Sequence, residues 1–211
     1  MPDELEPICA ALGMTPTEAQ RGALLQYLGL LQHWNATYNL TAVRDRGGMR
    51  TQHLADCMAA IPALARRSAQ GRLLDVGSGG GLPGVVIATL LPGWDVTCGD
   101  AVAKKTAFIR QVAGALSLPN LHAVHGRVEQ LRVAPFDLIT SRAFASLADF
   151  TALTRRHLAP GGVWMAMKGR APDDEIAALP PDVGVFHVEP LQVPGLDAQR
   201  CLIWMQPRKL A

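Results

Sequence analysis

Arg72-Leu73-Leu74-Asp75-Val76-Gly77-Ser78-Gly79-Gly80-Gly81-Leu82-Pro83-Gly84, with Val85 to Leu91 directly behind, carries the densest structural signal in the chain. A short apolar run with Asp75 near its end predicts a buried parallel strand. The glycines predict a tight turn, and Gly84 to Leu91 an apolar helix. Glycine is required where φ is positive or where a ligand must approach without meeting a Cβ. Strand, glycine turn and helix N-terminus together form a nucleotide pocket at the carboxyl edge of a sheet.

Gly79, Gly81 and Gly84 fit G-x-G-x-x-G, a dinucleotide fingerprint that is weak on its own. Ligand charge separates the options. A dinucleotide brings an anionic pyrophosphate, whereas S-adenosylmethionine brings an ammonium and a sulfonium. Asp75 stands two residues before Gly77, which gives Asp-x-Gly-x-Gly-x-Gly over residues 75–81. A carboxylate there repels pyrophosphate and favours the cationic methionine moiety. A NAD-dependent oxidoreductase using the same glycines is the enzyme alternative. It has no assignable hydride-transfer partner and must tolerate Asp75.

Strand and helix signals alternate beyond this stretch. Asp95 to Asp100 predicts a second strand ending in an acid about 20 residues past the glycines, the spacing of a ribose-binding carboxylate. A helix follows from about Ala103 to Leu116, with Lys104 and Lys105 in its first turn, where the helix dipole disfavours cations. Leu121 to His125 and Phe136 to Arg142 predict the third and fourth strands, and Leu147 to Leu158 a helix. Ala159 to Gly162 reads as a turn and Val163 to Lys168 as the fifth strand. Val185 to Val193 and Cys201 to Met205 predict a closing antiparallel hairpin. The fold class expected is α/β: a Rossmann-like, doubly wound, seven-stranded and mostly parallel sheet.

Residues 1–69 read as an N-terminal helical extension, and residues 70–211 as the sheet domain. Thr15-Pro16-Thr17-Glu18 predicts a helix start with Thr15 as N-cap, and Leu24, Leu25, Leu28 and Leu31 supply an apolar stripe. A polar segment, His33 to Asp45, comes next, and His53 to Ile61 predicts another helix. No role can be read for 171–184.

The composition, 49% hydrophobic and 18% charged with a net charge of +2, describes an ordinary folded protein. Charge is unevenly placed: between Ala101 and His157 eight basic residues face three acidic ones, which permits one basic face. Four scattered cysteines suggest neither a metal site nor a disulfide framework. No signal peptide and no membrane-crossing run is evident, so a cytoplasmic protein without membrane contact is expected; a monomer is expected as well, though no sequence feature gives the oligomeric state.

Trp34-Asn35, Tyr38 to Asp45, His53, Asp56, Asp75 to Gly84, Lys104-Lys105, Gly126 to Glu129, Ser141-Arg142-Ala143 and Lys168-Gly169 together resemble the RsmG (GidB) family of bacterial small-subunit ribosomal RNA methyltransferases. The Asn-Leu-Thr-Ala-Val-Arg-Asp segment joined to Ser-Arg-Ala is the narrowest part of the likeness. Gly80, Cys57, Asp100 and Ala101 depart from the family's usual residues by small or like-charged changes. The resemblance implies methyl transfer from S-adenosylmethionine, leaving S-adenosylhomocysteine, to N7 of guanine 527 in the 530 loop of 16S rRNA. It further implies cofactor contacts at Gly77, Leu82, Val128, Glu129 and Arg142, with 16S rRNA or the small subunit as partner.

Guanine N7 carries a lone pair and no proton, so no general base is expected and none is assigned. Neither an Asn-Pro-Pro-Tyr nor a Pro-Cys motif is present, which fits neither amino-group nor pyrimidine C5 methylation. Catalysis then rests on alignment, worth ~7–11 kcal/mol. Asp75 is expected to pair with the methionine ammonium, Asp100 with the ribose, Val128-Glu129 with the adenine, and Gly77, Gly79 and Gly81 to make room. Arg142 would contact either the methionine carboxylate or the guanine, unless it is a structural salt bridge. Asn39, Arg44 and His53 would shape the RNA-facing wall, with a structural His53–Asp56 bond as the alternative. Lys104, Lys105, Arg127 and Lys168 would meet RNA phosphates. An RNA-binding module that keeps the cofactor fold without turnover is the non-enzyme alternative.

Overall fold

The computed structural model describes residues 4–208 apart from 143 and 145, so Ala143 of the Ser-Arg-Ala motif lies outside the described residues. Among the described residues seven strands form one sheet: β1 (Gly71–Val76), β2 (Trp94–Asp100), β3 (Leu121–His125), β4 (Phe136–Ser141), β5 (Leu158–Lys168), β6 (Val183–Leu191) and β7 (Arg200–Pro207). Their order is β3-β2-β1-β4-β5-β7-β6. The first five are parallel, while β7 runs antiparallel to both β5 and β6. The chain reverses direction across the sheet between β1 and β4, and ligands of open α/β sheets bind at the carboxyl ends beside such a point.

The helices are α1 (Glu6–Ala11), α2 (Glu18–Tyr38), α3 (Arg46–Met49), α4 (Asp56–Met58), α5 (Ile61–Arg67), α6 (Gly84–Leu90), α7 (Ala103–Ala115), α8 (Leu147–Thr154) and α9 (Asp173–Ala177). The side chains of β1 alternate between two apolar cores. Leu73 joins the larger one with Leu24, Leu28, Val85, Phe108 and Ile109, so the N-terminal helices share a core with α6, α7 and the sheet. Leu74 and Val76 join the smaller one with Phe150, Trp164 and Ile203.

Four local expectations differ from what is observed. Helix α2 is capped by Thr17, not Thr15: its hydroxyl accepts from Gln20 N at 3.2 Å while Gln20 Oε1 accepts from Thr17 N at 2.9 Å. A reciprocal pair satisfies two orphan donors, and Thr17 with Gln20 forms it, although Thr15 also has an acidic residue, Glu18, three positions on. The polar stretch from His33 is helical to Tyr38, where Asn39 closes α2 in the left-handed region at φ 50°. The segment foreseen as a helix from His53 begins at Arg46 and passes through a π-helical turn, Arg50–Ala55, between α3 and α4. Residues 159–162, foreseen as a turn ahead of the fifth strand, belong to β5 itself, where the register shifts between the Phe136–Leu158 and Leu138–Val163 pairs.

Tyr27 ties α2 to the glycine turn. Its ring is fully buried and its hydroxyl donates to Gly80 O at 2.7 Å. Tyr27→Phe leaves that carbonyl without its protein donor, so stability should fall by about 1–3 kcal/mol. A urea melt reads this directly, and an unchanged midpoint would mean that the bond contributes nothing.

Candidate functional site

The turn after β1 is held from β2. Gly77 N and Ser78 N both donate to Gly99 O, at 2.9 and 3.2 Å, and Gly79 N donates to Asp100 Oδ2 at 3.0 Å. Gly77 and Gly79 have φ of 67° and 58°, and among the described residues a Cβ on either would meet no atom closer than 4.0 Å. That combination leaves open space above a backbone only glycine adopts easily. Gly81 and Gly84 differ. A Cβ on Gly81 would lie 2.6 Å from Val85 Cγ2, and one on Gly84 2.3 Å from Cys98 Sγ, so both serve packing.

Three cavities adjoin at this edge. One of about 300 Å³ is lined by Gly77, Asp100, Val128, Glu129 and Phe144. A smaller one of about 200 Å³ continues past Gly77 to Ser78, Gly79, Leu82 and Lys105. His53 and Arg142 wall it off from a third, of about 410 Å³, which also touches Asp56, Lys168 and Arg200. The predicted Gly77, Gly79, Leu82, Asp100, Val128, Glu129, His53, Arg142 and Lys168 are thus brought together. Asp75 and Gly81 line none of these cavities.

Asp75 corrects the simplest expectation. It is fully buried beneath the turn, Oδ2 accepts from Gly84 N at 2.8 Å, and Oδ1 has no hydrogen-bond partner among the described residues. Burial pushes its pKa up to about 7, opposed by the Gly84 N–H and by Arg142 and reinforced by Asp100. It faces α6, and so cannot offer its carboxylate across van der Waals contact to a ligand above the turn. Asp100 Oδ1 accepts from Val102 N at 2.8 Å, and Lys105 Nζ lies 3.6 Å from Oδ2, so Asp100 both shapes the turn and faces the cavity.

Lys168 is a second correction. Its ammonium is held by both oxygens of Glu175, at 3.0 and 2.8 Å, rather than offered to a phosphate. Glu175 Oε2 also accepts from Leu147 N at 2.8 Å, so α9, which carried no legible role, pins the start of α8 and the end of β5. Lys104 and Arg127 are exposed, the latter 3.8 Å from Glu129. Arg44 lies outside the cavities with Nη2 donating to Asn39 Oδ1 at 2.9 Å.

Arg142 and His53 stand at the centre of a network. Arg142 Nη1 donates to Gln52 O at 3.0 Å and lies 3.4 Å from Asp56 Oδ2, while Arg200 Nε donates to Asp56 Oδ1 at 2.8 Å. His53 Nδ1 is 3.3 Å from Arg142 Nη1, and Nε2 is 2.6 Å from Thr41 Oγ1. A guanidinium can only donate, so Nδ1 accepts and the ring is neutral with its proton on Nε2. Burial, then the Arg142 charge, lowers the His53 pKa, in accord with that state. Asn35 fixes the Thr41 loop, with Nδ2 donating to Val43 O at 3.1 Å and Oδ1 accepting from Thr41 N at 2.8 Å.

Sequence reasoning missed Thr41 as the His53 partner and missed Arg200, Glu175 and His157 altogether. His157 Nε2 lies 2.7 Å from Val128 O and Arg156 Nη1 donates to Glu129 O at 2.9 Å, which holds the 3₁₀ turn Val128–Gln130 against the cavity. Among the described residues no group of side chains suits a metal ion, and no helix is long and apolar enough to cross a membrane.

Comparison with known proteins finds relatives and structural neighbours of the chain. The chain is 60% identical over 207 residues to "Ribosomal RNA small subunit methyltransferase G" of Acidovorax sp. (strain JS42), covering 93% of this chain and 91% of that one. It is 62% identical over 203 residues to the protein of the same name from Leptothrix cholodnii, covering 95% and 93%. Among solved structures, TrmN from Thermus thermophilus matches with TM-score 0.55 and 24% identity over 71% of this chain and 47% of that one. The glycopeptide N-methyltransferase MtfA complexed with S-adenosylmethionine matches with TM-score 0.59 and 14% identity over 73% and 94%. Both likenesses are to the fold alone. The model of the GidB family, rRNA small subunit methyltransferase G, matches residues 20–203, and the chain belongs to that family of methyltransferases.

Proposed function

We propose that the protein transfers a methyl group from S-adenosylmethionine to N7 of guanine 527 in 16S rRNA, working in the cytoplasm on the RNA or the small subunit. The observation that carries this is the pair of joined cavities over Gly77 and Gly79, with Asp100 at one end and Arg142 at the other. The cofactor fits the residues present. Gly77 and Gly79 keep clear a cradle that any Cβ would fill, and the buried Asp75 beneath it favours a cation above over a pyrophosphate. When bound, S-adenosylmethionine supplies an electrophilic methyl group on a sulfonium.

Asp100 would accept from the ribose hydroxyls, Val128 and Glu129 would meet the adenine, and Leu82 and Arg142 would border the methionine part. The chain's own task is then alignment. His53, neutral and committed to Arg142 and Thr41, holds the guanidinium in the wall between cofactor and substrate cavities and moves no proton. That suits attack by N7, which has no proton to lose, and turnover at saturation should show no limb from an essential base near neutrality.

The test is radiolabel transfer from S-adenosylmethionine to small subunits of a strain lacking the enzyme, followed by nucleoside analysis and primer extension. Label in 7-methylguanosine at the single position is expected. Binding without transfer would favour the non-catalytic module, and label elsewhere would overturn the assignment.

Exposed Lys104 at the start of α7 is the best placed of the foreseen phosphate contacts. Lys104→Gln should weaken RNA binding and reduce the salt slope by about one. Filter binding across a salt series reads this, and an unreduced slope would remove Lys104 from the interface.

A further inference from the structure

We propose that the cavity beyond Arg142 receives the target guanine and that Asp56 accepts its N1–H, which makes Asp56 the residue separating guanine from adenine. The inference rests on the reaction proposed above. The cavity, about 410 Å³, has volume for a purine, with apolar Met167 and Leu191 to meet its faces. Its polar lining is unusual in one respect: a carboxylate 4% exposed sits between two guanidinium groups. Arg200 Nε donates to Asp56 Oδ1 at 2.8 Å, and Arg142 Nη1 lies 3.4 Å from Oδ2. One arginine would suffice to neutralise a buried acid. With two, the carboxylate is fixed in place, and a donor and an acceptor stand side by side on the cavity wall.

Guanine carries the complementary pair. Its O6 accepts, and the adjacent N1–H donates. O6 on Arg142 and N1–H on Asp56 would also place N7, the other neighbour of O6, toward the wall that Arg142 shares with the cofactor cavity. Adenine inverts both contacts: its amine would face the guanidinium, and its bare N1 the carboxylate. A site built to hydrogen-bond one pattern rejects the inverted one strongly, because its own buried groups are left unpaired. The 2-amino group has no part in this reading, so inosine should pass.

The experiment uses small subunits reassembled with guanine, inosine, 1-methylguanine or adenine at the target position. Wild-type protein should methylate guanine and inosine at rates within about tenfold, and 1-methylguanine and adenine at least about 100-fold more slowly. No methylation of guanine would sink the reaction itself. Methylation of guanine with equal methylation of 1-methylguanine would sink only the Asp56 reading. D56N should lower kcat/KM on guanine about tenfold or more and shrink the guanine-over-adenine preference by a similar factor. Its affinity for S-adenosylmethionine should stay within a few-fold of wild type. Equal losses on every base together with weakened cofactor binding would show a structural ion pair and overturn the proposal. If D56N fails to fold, D56E decides: it keeps a charge between the arginines, advances the acceptor by one methylene, and should lose the same preference.

Discussion

Gly79→Val is expected to reduce affinity for S-adenosylmethionine by about 100-fold or more, about 2.8 kcal/mol, while leaving a folded protein. Gly79 has φ 58° and open space where a Cβ would stand. A β-branched residue in the left-handed region is strained by roughly 1–3 kcal/mol, which a chain of this size survives. Its methyl groups would project into the cavity that continues from Gly77 toward Leu82. Relief of the strain by a shifted backbone would pull Gly79 N from Asp100 Oδ2, 3.0 Å away, and so disturb the ribose end as well. Gly84→Val is the contrasting case. Its Cβ would lie 2.3 Å from Cys98 Sγ and 3.0 Å from Asp75 Oδ2, both fully buried, so the loss should appear in folding. Calorimetric titration and urea melts on the two variants separate the roles. A Gly79→Val protein that binds within threefold of wild type would show that the cofactor does not lie over this turn.

The same two glycines mark the limit of what the sequence conveyed. Parallel strands buried on both faces are near-continuous apolar runs, which made β1 and most of β4 legible, while β2 was marked by its alternating apolar residues and the acid that closes it. The face on which Asp75 sits was not, because both neighbours of β1 are apolar cores and alternation alone does not say which one lies under α6. Residue spacing also failed at the π-helical turn Arg50–Ala55, which resets the helical register just before Asp56. Such turns gather at functional sites but have no sequence signature. Arg200 reaches Asp56 across 144 positions, because Lys168 pairs with Cys201 and so brings the start of β7 to the end of β5. No local pattern encodes that pairing. Glu175 was unreadable for a similar reason: its partners Lys168 and Leu147 belong to different elements.

Asp75→Asn should change how stability and cofactor affinity depend on pH, and the sign follows from burial. In the folded protein burial pushes the Asp75 carboxyl up to about 7 from its ordinary value of 3.8, so the folded state binds the proton more tightly. Below about pH 3 both states are protonated, and the group adds no pH dependence. As pH rises from there to about 7 the unfolded chain ionises first, and stability is lost across that window; above it the penalty is constant. Between pH 5 and pH 8 the difference in stability between wild type and Asp75→Asn should therefore move by about 3 kcal/mol in favour of the variant. The amide retains an acceptor for Gly84 N but carries an unpaired N–H₂, which costs about 1–3 kcal/mol at every pH and leaves the slope intact. A cationic ligand above the turn favours the ionised carboxyl. Wild-type affinity for S-adenosylmethionine should accordingly rise with pH up to about 7 and then level, with proton release visible as buffer-dependent binding enthalpy. The variant should bind more weakly at pH 8 and show neither effect. Urea melts and titrations of both proteins at the two pH values decide it: parallel stability profiles would place the Asp75 carboxyl in its ordinary range, and pH-independent wild-type binding would separate it from the ligand's charge.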